Sequence, residues 1–581
     1  MRIRKLIIHE LFPDDEELEK DIHKQETEHD EKTLEELIKD LTKIENFMRE
    51  NGIATGADAI GNLIFLVFLK LYEEKREKDK GLPNRLRSRE TFEKYCQNQS
   101  EDLVLENRCI HHLFETIKGD KEFRESKLFT EFDKLRDEVD DKFLYNFILP
   151  IFNEYNFYGT KLDALGAVYE VLALRAEKDV KVGQFFTPEN VVKFMVDLAE
   201  LNYKDRILDP ACGTGRFLIH AMHNMQRTLK LSQEKNKEHK DELIRQHQCY
   251  GADIDTRIAK IAKMNMWING DGKSNIFGGK DYNGLLLHKK PFNGEYTFDD
   301  NFDVVLTNPP LGELNYQVLD FTTAQTSDAE RINHILTRIP ILPNKNLSQD
   351  RLNKKIEAIS KYKKELDEFL SLKASMSLSN KELKSLETKI KAKQKVISAN
   401  QSEAKQIEAE ILAGNSEFEI TGNNLKGGAM FLTAIWHYLK DIADNDEVPE
   451  WRGGKMLIIL DEGVLNTDDY KEVRNFIRSH FYIKAVISLT RDTFMPISKT
   501  STKTSIMYAI KKSDLDSTQK EPIFFAHVER VGLDTTGKVC MNDLPGIADS
   551  FFQFKKAVKS CYTSNIFNQS NFKKLAKHGS F

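Results

Sequence analysis

The pattern of apolar and polar positions changes several times along the 581 residues of this chain. From residue 1 to residue 160, apolar side chains recur at helical spacing within a charged sequence, which predicts an N-terminal all-helical domain. Over residues 161–344, and again over 414–520, short apolar runs typical of buried strands alternate with amphipathic helical segments. This alternation predicts an α/β fold. Residues 521–581 are expected to add one further strand and a basic helical tail.

Residues 345–413 have a third pattern, in which apolar positions are spaced alternately by four and by three residues. This spacing predicts two amphipathic helices, and Ser379 followed by Glu382 is a capping box that would start the second one. We therefore predict an inserted coiled-coil hairpin, which could pack on its own body or dock a partner. The predicted seam residues are Leu352, Ile356, Ile359, Leu366 and Leu370 on the first helix and Leu383, Leu386, Ile390, Ile397, Ala404, Ile407 and Ile411 on the second.

Several predicted strands end in polar residues. A short apolar strand ends at Asp209 and is followed by a loop of small residues that opens a helix. Glycines let a backbone approach a ligand closely, and a helix N-terminus favours negative charge. A loop made only for packing is the alternative interpretation. The loop residues are Ala211, Cys212, Gly213, Thr214 and Gly215.

A second group of strand ends follows along the chain. Residues 302–307 read as a buried strand that ends in Asn308, Pro309, Pro310 and Leu311. Ligands of open α/β sheets bind at the C-terminal ends of strands, so these motifs should share one site. Between them, two further predicted strands end in Asp253-Ile254 and in Asp281. Each acid taken singly could be a solvated loop carboxylate, and Asn-Pro-Pro taken singly could be a turn.

A helix start precedes the glycine loop. Thr187, Pro188 and Glu189 have the chemistry of an N-cap, a first-turn proline and an acid beside the positive end of the helix dipole. Phe185 and Phe186, just before them, could contact a ligand or pack in the core.

Together these residues resemble the class I, S-adenosylmethionine-dependent N6-adenine DNA methyltransferases, and most closely the modification subunits of type I restriction–modification systems. The similarity covers about residues 40–320 and 425–512, and segments 163–170 and 183–188 contribute to it. The resemblance implies a Rossmann-like mixed sheet. It implies a cofactor site for S-adenosylmethionine formed by Gly183, Gln184, Phe185, Phe186, Thr187, Pro188, Asp209, Ala211, Cys212, Gly213, Thr214, Gly215, Asp253, Ile254 and Asp281.

The resemblance also implies a reaction and partners. Asn308, Pro309, Pro310 and Leu311 would form the catalytic motif that methylates a flipped adenine without a metal. The expected partners are double-stranded DNA and a specificity subunit, with a restriction or translocase subunit as a further candidate and two copies of this chain per complex. The alternatives are an RNA or protein-glutamine methyltransferase, or a catalytically weakened cofactor-binding scaffold.

Two positions depart from the family pattern. Leu311 stands where an aromatic residue of the family usually stacks on the flipped base, and this difference is the reason for the alternative of a weakened scaffold. Arg216 stands where a small residue is commoner, and we expect its side chain to point outward from the helix.

Composition sets further limits. The formal net charge is −6, which does not favour autonomous DNA binding and suggests that a partner helps to present the nucleic acid. The six cysteines contain no CxxC pair and no metal-binding spacing, which is typical of a reducing compartment. The sequence has no signal-peptide pattern, and its longest apolar run, residues 63–69, is too short to span a bilayer. We therefore expect a cytoplasmic protein without a membrane partner.

Overall fold

The chain divides into two compact units. One contains residues 1–120 and 129–172, and the other contains residues 121–128 and 173–581. The structure is a computed structural model, and it describes residues 34–53, 57–126, 128–158, 165–168, 187–271, 275–279, 282–285, 287, 291–292, 296–311, 344–375, 379–412, 418–420, 427–442, 449–495, 501–536 and 538–563.

The described part of the first unit is helical, as predicted. Helix α2 is its most apolar segment, and residues 63–69 within it are all buried. Asp141 accepts hydrogen bonds from the backbone N–H groups of Cys109 (3.1 Å) and Ile110 (2.8 Å), so its carboxylate caps the start of α5. The N-terminal helices are α1 (Leu34–Glu50), α2 (Ala57–Lys80), α3 (Arg89–Cys96), α4 (Glu101–Leu105), α5 (Cys109–Lys118), α6 (Lys121–Glu125), α7 (Asp141–Phe143), a π-helical turn (Leu144–Ile148) and α8 (Leu149–Phe152).

The second unit is built around an eight-stranded mixed sheet with the strand order β12-β10-β11-β9-β6-β1-β2-β3. Strands β3, β2, β1, β6 and β9 run parallel, and β11 is antiparallel to both of its neighbours. The strands are β1 (Ile207–Asp209), β2 (Cys249–Asp253), β3 (Asn275–Gly278), β4 (Pro291–Phe292), β5 (Tyr296–Thr297), β6 (Val304–Thr307), β7 (Asn344–Asn346), β8 (Phe418–Ile420), β9 (Lys455–Asp461), β10 (Phe481–Ser488), β11 (Thr504–Lys511), β12 (Phe524–His527), β13 (Val531–Leu533) and β14 (Val539–Asn542).

Apolar layers cover both faces of this sheet. Successive side chains of a strand point to opposite faces. In β6, Val304 and Leu306 belong to one apolar layer, whereas Val305 belongs to the other. The helices of this unit, besides α6, are α9 (Glu189–Ala199), α10 (Arg216–Leu231), α11 (Lys237–His247), α12 (Thr256–Ile268), α13 (Leu347–Ser375), α14 (Asn380–Leu412), α15 (Gly427–Tyr438), α16 (Glu462–Asn466), α17 (Lys471–His480) and α18 (Leu544–Thr563), with 3-10 turns at Pro449–Trp451, Asp468–Tyr470 and Arg491–Phe494.

The order of the strands, with one antiparallel strand between β9 and β10, is that of a class I methyltransferase. The predicted fold class is therefore confirmed. The predicted C-terminal boundary of the core was wrong: β12 lies beyond residue 520, yet it pairs in parallel with β10 as the last strand of the sheet. Residues 121–128, predicted as part of the helical domain, belong to the second unit, where the Phe123 ring lies 4.8 Å from the Trp267 ring.

Helices α13 and α14 form an antiparallel pair inserted between β6 and β9. Lys355 Nζ donates to Asn400 Oδ1 (3.1 Å), and Lys373 lies 2.8 Å from Glu387 nearer the turn. A short antiparallel ladder of β7 with β8 joins the two ends of this excursion. The described ends of this helix pair therefore meet in one short two-stranded stem.

The seam between α13 and α14 differs in part from the predicted one. Ile390, Ile397 and Ala404 recur every seven residues and are buried, as predicted. Ile356 and Leu370, however, are 53% and 43% exposed, so these two predicted seam residues were wrong. Both lie on the outward side of α13, because α14 covers only one face of that helix.

A membrane-spanning helix is not found among the described residues, since none of their helices combines the necessary length with sufficient hydropathy.

Candidate active site

Three adjacent parallel strands bring the predicted site residues to one edge of the sheet. Strand β1 pairs with β2 on one side and with β6 on the other, in registers that align Asp209 with Gly251 and Leu208 with Val305. Because parallel strands end at the same edge, the ends of β1, β2 and β6 lie together. The predicted juxtaposition of the glycine loop, Asp253 and Asn308 is therefore present in the fold.

The loop after β1 is held by bonds from neighbouring elements. Cys212 N donates to Ala252 O at 3.0 Å, and Asn265 Nδ2, from α12, donates to Thr214 O at 3.0 Å. Gly213 and Gly215 have φ angles of +52° and +85°, a conformation that side chains disfavour. A Cβ on Gly213 would meet no atom within 4 Å, so open space lies beside the loop.

Two buried carboxylates lie at this end of the sheet. Asp209 Oδ1 accepts hydrogen bonds from the Thr307 hydroxyl (2.7 Å) and Ala211 N (3.1 Å). Burial raises the pKa of Asp209 to about 7, because the charged form loses its hydration while the Thr307 hydrogen bond only partly compensates. At neutral pH this carboxyl is therefore poised between its two protonation states.

Asp253 lies at the end of β2 and is 8% exposed. Its Oδ2 accepts from Gly213 N (3.2 Å), and its Oδ1 accepts from Asp255 N (2.9 Å). Burial also raises the pKa of Asp253 to about 7. Ile254, the next residue, is 39% exposed, so an apolar side chain borders this acid at the surface.

Asn308 follows β6 directly, and its amide is held by a residue 121 positions earlier. Its Nδ2 donates to Thr187 Oγ1 at 2.9 Å. The predicted role of Thr187 as the N-cap of α9 was wrong, because Pro188 occupies the N-cap position and no side chain caps the helix. The hydroxyl is engaged by Asn308, a partner that helix-start chemistry could not reveal.

The side chain of Arg216 also contacts Thr187. Its Nη1 donates to the Thr187 carbonyl at 3.0 Å, so the expectation that this side chain points outward was wrong. Arg216 is the first residue of α10, directly after the glycine loop.

The rest of the Asn-Pro-Pro motif is largely enclosed. Pro309 is buried and Pro310 is half-buried. Leu311 is 4% exposed and belongs to the apolar layer that also contains Val191 and Leu306. In this conformation Leu311 therefore packs in the core.

Some predicted site residues lie outside the described part of the chain. These are Gly183, Gln184, Phe185, Phe186 and Asp281, together with residues 163, 164, 169 and 170 of segment 163–170.

Three further residues shape the site, although the sequence analysis did not identify them. A Cβ on Gly251 would lie 2.8 Å from Ile276 Cδ1 and from Leu218 Cδ1, so a larger residue in the middle of β2 would require these two side chains to shift. Asn265 is a buried polar residue on α12 whose side chain donates to the Thr214 carbonyl of the loop. In the sequence, a polar residue among the apolar positions of this helix was the signal that could have identified it. Thr307 connects the ends of β6 and β1 through Asp209.

The residues at this edge fit a nucleoside cofactor that also carries an amino-acid group. Asp253, which lies next to open space at the glycine loop, offers an acceptor of the kind that ribose hydroxyls require. The loop contributes backbone that a ligand can approach, and α10 begins directly after it. Asn308 adds a planar amide at the adjacent strand end.

The fold is that of the class I methyltransferases, and an Asn-Pro-Pro motif follows β6 at the edge where the glycine loop and Asp253 lie. Residues 160–351, about a third of the chain, match the model of the N-6 DNA Methylase family. The resemblance to type I modification subunits is thereby confirmed, and the chain is similar in sequence to several type I methylase subunits.

Two curated relatives illustrate the extent of the match. The Type II restriction enzyme and methyltransferase RM.BcgI of Heyndrickxia coagulans is 35% identical over 26% of this chain and 22% of its own length. The Type I restriction enzyme EcoEI methylase subunit of Escherichia coli is 25% identical over 47% of this chain and 55% of its own length. The chain thus spans about half, or less, of the length of these relatives.

Among solved structures, the type I restriction-modification system methyltransferase subunit from Streptococcus thermophilus is similar with a TM-score of 0.47. The sequence identity is 16%, and the match covers 90% of this chain and 94% of that one.

Proposed function

We propose that this protein is the methylating subunit of a type I-like restriction–modification or phage-defence complex, and that it transfers a methyl group from S-adenosylmethionine to N6 of a flipped adenine in DNA. The observation that carries the proposal is the position of Asn308 and Pro309 at the end of β6, beside the strand ends that bear Asp209 and Asp253. The match of residues 160–351 to the N-6 DNA Methylase family supports the same reaction.

S-adenosylmethionine would supply an electrophilic methyl group on a sulfonium. Asp253 would accept hydrogen bonds from the ribose hydroxyls, and Ile254 would cover the base with its exposed apolar surface. Backbone of the glycine loop, over Gly213 to Gly215, would pass close to the methionine part. Thr187 and Pro188 would line the same pocket, together with Gly183, Gln184, Phe185 and Phe186, and Asp281 would accept from the adenine amino group of the cofactor.

An exocyclic amine is a poor nucleophile because its lone pair is delocalised into the ring. Asn308 Oδ1 and the Pro309 carbonyl can each accept one N–H of the target amine. Two such acceptors concentrate the lone pair on nitrogen and direct it along one line. Because both belong to a rigid Asn-Pro-Pro segment, orientation supplies much of the lowering of the barrier. Transfer would form the N–CH3 bond, break the S–CH3 bond and leave the electron pair on sulfur as the thioether S-adenosylhomocysteine, and the surplus proton of the methylated amine would pass to solvent.

The expected partners are double-stranded DNA and a specificity subunit, with a restriction or translocase subunit as a further component and two copies of this chain per complex. The net charge of −6 supports a division of labour in which another chain contributes much of the phosphate binding.

The proposal is tested by supplying labelled S-adenosylmethionine and unmethylated DNA to the protein co-purified with a candidate specificity subunit. We expect label on N6 of adenine at one sequence, and none with RNA or with protein glutamine. Label on either of those substrates would support the alternative methyltransferases. Cofactor binding without transfer to any substrate would support a scaffold.

A further inference from the structure

The catalytic asparagine has a partner outside its own motif. Asn308 Nδ2 donates to the hydroxyl of Thr187 at 2.9 Å, and Thr187 is 8% exposed. A side-chain amide has a donor end and an acceptor end, and rotation by half a turn about its last bond exchanges them. Only one orientation directs the amide oxygen to a target amine, so a bond that holds the nitrogen favours the working orientation of the site.

The backbone of Thr187 is itself held by Arg216. Its carbonyl accepts from Arg216 Nη1 at 3.0 Å, and Arg216 begins the helix that follows the glycine loop. Pro188, next in sequence, limits the backbone here because its ring fixes φ. The hydroxyl of Thr187 is thus presented to Asn308 from a backbone that is fixed on both sides.

The opposite side of the β6 end is anchored as well. Thr307, which precedes Asn308, donates its hydroxyl to Asp209 at 2.7 Å. The end of β6 is therefore tied to β1 through Thr307 and to the start of α9 through Asn308. These two hydrogen bonds are made by adjacent residues, so the end of β6 has little freedom to rotate.

We propose that Thr187 is a positioning residue for Asn308. Its hydroxyl accepts from the amide nitrogen and thereby keeps the amide oxygen available for the amine to be methylated, while Arg216 keeps Thr187 in register with the glycine loop. The inference rests on the proposed methyl transfer, and it gives Thr187 a role beyond that of lining the cofactor pocket. It also gives a function to Arg216, which departs from the family pattern.

The decisive comparison is Thr187→Val against Thr187→Ser in the complex with its specificity subunit. Valine preserves the shape of threonine but cannot accept a hydrogen bond, whereas serine retains the hydroxyl. We expect Thr187→Val to lower kcat by about 10-fold to 100-fold, the scale of a misplaced reacting group, and Thr187→Ser to recover most of that loss. Because valine and serine leave the backbone at Thr187 and Pro188 in place, the Kd for S-adenosylmethionine should change by less than about twofold in either variant.

Arg216→Met removes the guanidinium while keeping most of the apolar stem. We expect it to lower kcat in the same direction as Thr187→Val and to leave the Kd for S-adenosylmethionine unchanged. Thr228→Val is the matched control, because Thr228 also lies on α10 and its hydroxyl donates to backbone carbonyls, those of Asn224 (3.0 Å) and Leu201 (3.5 Å). This control should retain the parental kcat.

Two results would overturn the proposal. A Thr187→Val protein that methylates at the parental rate would show that the hydroxyl does not orient Asn308. A variant with an unchanged kcat at saturation and a cofactor Kd raised about tenfold would make Thr187 a ligand contact instead.

A second measurement separates this proposal from the proposed function. Neutron crystal structures of the parent and of Thr187→Val, which locate the amide deuterons, should differ in the orientation of the Asn308 amide, whether or not methylation is detected. An identical amide orientation in both would reject the positioning role. Absence of methylation by the parental complex would reject the proposed function while the crystallographic comparison still decided the role of Thr187.

Discussion

Proton release on cofactor binding follows from the burial of Asp253. Its pKa is raised to about 7, so at pH 6 about nine-tenths of the molecules carry a proton on this carboxyl. Ribose hydroxyls donate hydrogen bonds and therefore favour the ionised carboxylate. Binding of S-adenosylmethionine at pH 6 should then expel about 0.9 proton per site, if Asp253 is ionised in the complex.

The same linkage fixes how affinity depends on pH. The affinity for S-adenosylmethionine must rise with pH. At low pH, binding includes the cost of removing the proton from Asp253, and this cost disappears as the pH rises above about 7. For a pKa of about 7, the Kd should fall about eightfold between pH 5.5 and pH 6.5, or about 1.2 kcal/mol. This window avoids titration of the α-amino group of the cofactor, which has an ordinary pKa near 8 (about 7.7–8.0).

Isothermal titration calorimetry in buffers of different ionisation enthalpy measures both quantities. Asp253→Asn keeps the shape of the side chain but cannot ionise, so its proton release should disappear and its Kd should rise by about tenfold or more at pH 7.5. Asp205→Asn is the matched control: burial also raises the pKa of Asp205, to about 6, yet this residue precedes β1 at the opposite edge of the sheet. Parental binding that releases no proton, or an Asp253→Asn variant with the parental Kd, would refute the reasoning.

Three further predictions follow from the same geometry. Because the folded-state pKa values of Asp209 and Asp253 lie above the ordinary value of 3.8, the ligand-free protein should lose stability as the pH rises from about 4 to 7. Asp253→Asn should therefore raise the Tm of the ligand-free protein at pH 8 more than at pH 5, and an equal change at both values would contradict this. Leu311→Phe should lower the free energy of unfolding by about 1–3 kcal/mol in denaturant titrations, because the site is packed at 4% exposure; tighter binding to DNA with an unpaired adenine, without loss of stability, would instead restore the expected stacking role. Replacing residues 350–410 with a short Gly/Ser linker should preserve cofactor binding and weaken complex assembly or DNA methylation, whereas a variant that assembles and methylates normally would reduce α13 and α14 to an accessory.

The strand ends of the site were predictable from sequence because their chemistry is local. Asp209 and Asp253 each follow a short apolar run, and Gly213 and Gly215 adopt the positive φ values that glycine permits. The chain order of these elements constrains their spatial order, since parallel strands must end at one edge. Asn308 could therefore be assigned to the same edge as the glycine loop without knowledge of any side-chain contact.

The errors arose where a distant partner competes with local chemistry. Thr187 has the sequence context of an N-cap, but Asn308 engages its hydroxyl from 121 residues away. The guanidinium of Arg216 likewise finds a carbonyl 29 residues earlier in the chain. Hydrogen bonds of this range depend on the assembled fold, and no periodicity in the sequence encodes them.

Edge strands and helix seams posed a similar difficulty. The apolar run at Phe524–His527 predicts a strand but does not specify its neighbour, and the structure pairs it with β10. In α13, the apolar spacing that includes Ile356 and Leu370 fits more than one helix face. The position of α14 decides which face of α13 is buried, and Ile356 and Leu370 lie on the exposed side.

The most direct test of the proposed reaction compares the parental protein with Asn308→Ala, each purified with its specificity subunit. Both are incubated with S-adenosylmethionine and unmethylated DNA, and N6-methyladenine is quantified by mass spectrometry of the digested DNA. The parental complex should form N6-methyladenine, and Asn308→Ala should bind the cofactor with the parental Kd but form none, because the lost interaction is directed at the reacting amine. N6-methyladenine produced by Asn308→Ala at the parental rate, or none produced by the parental complex, would contradict the account.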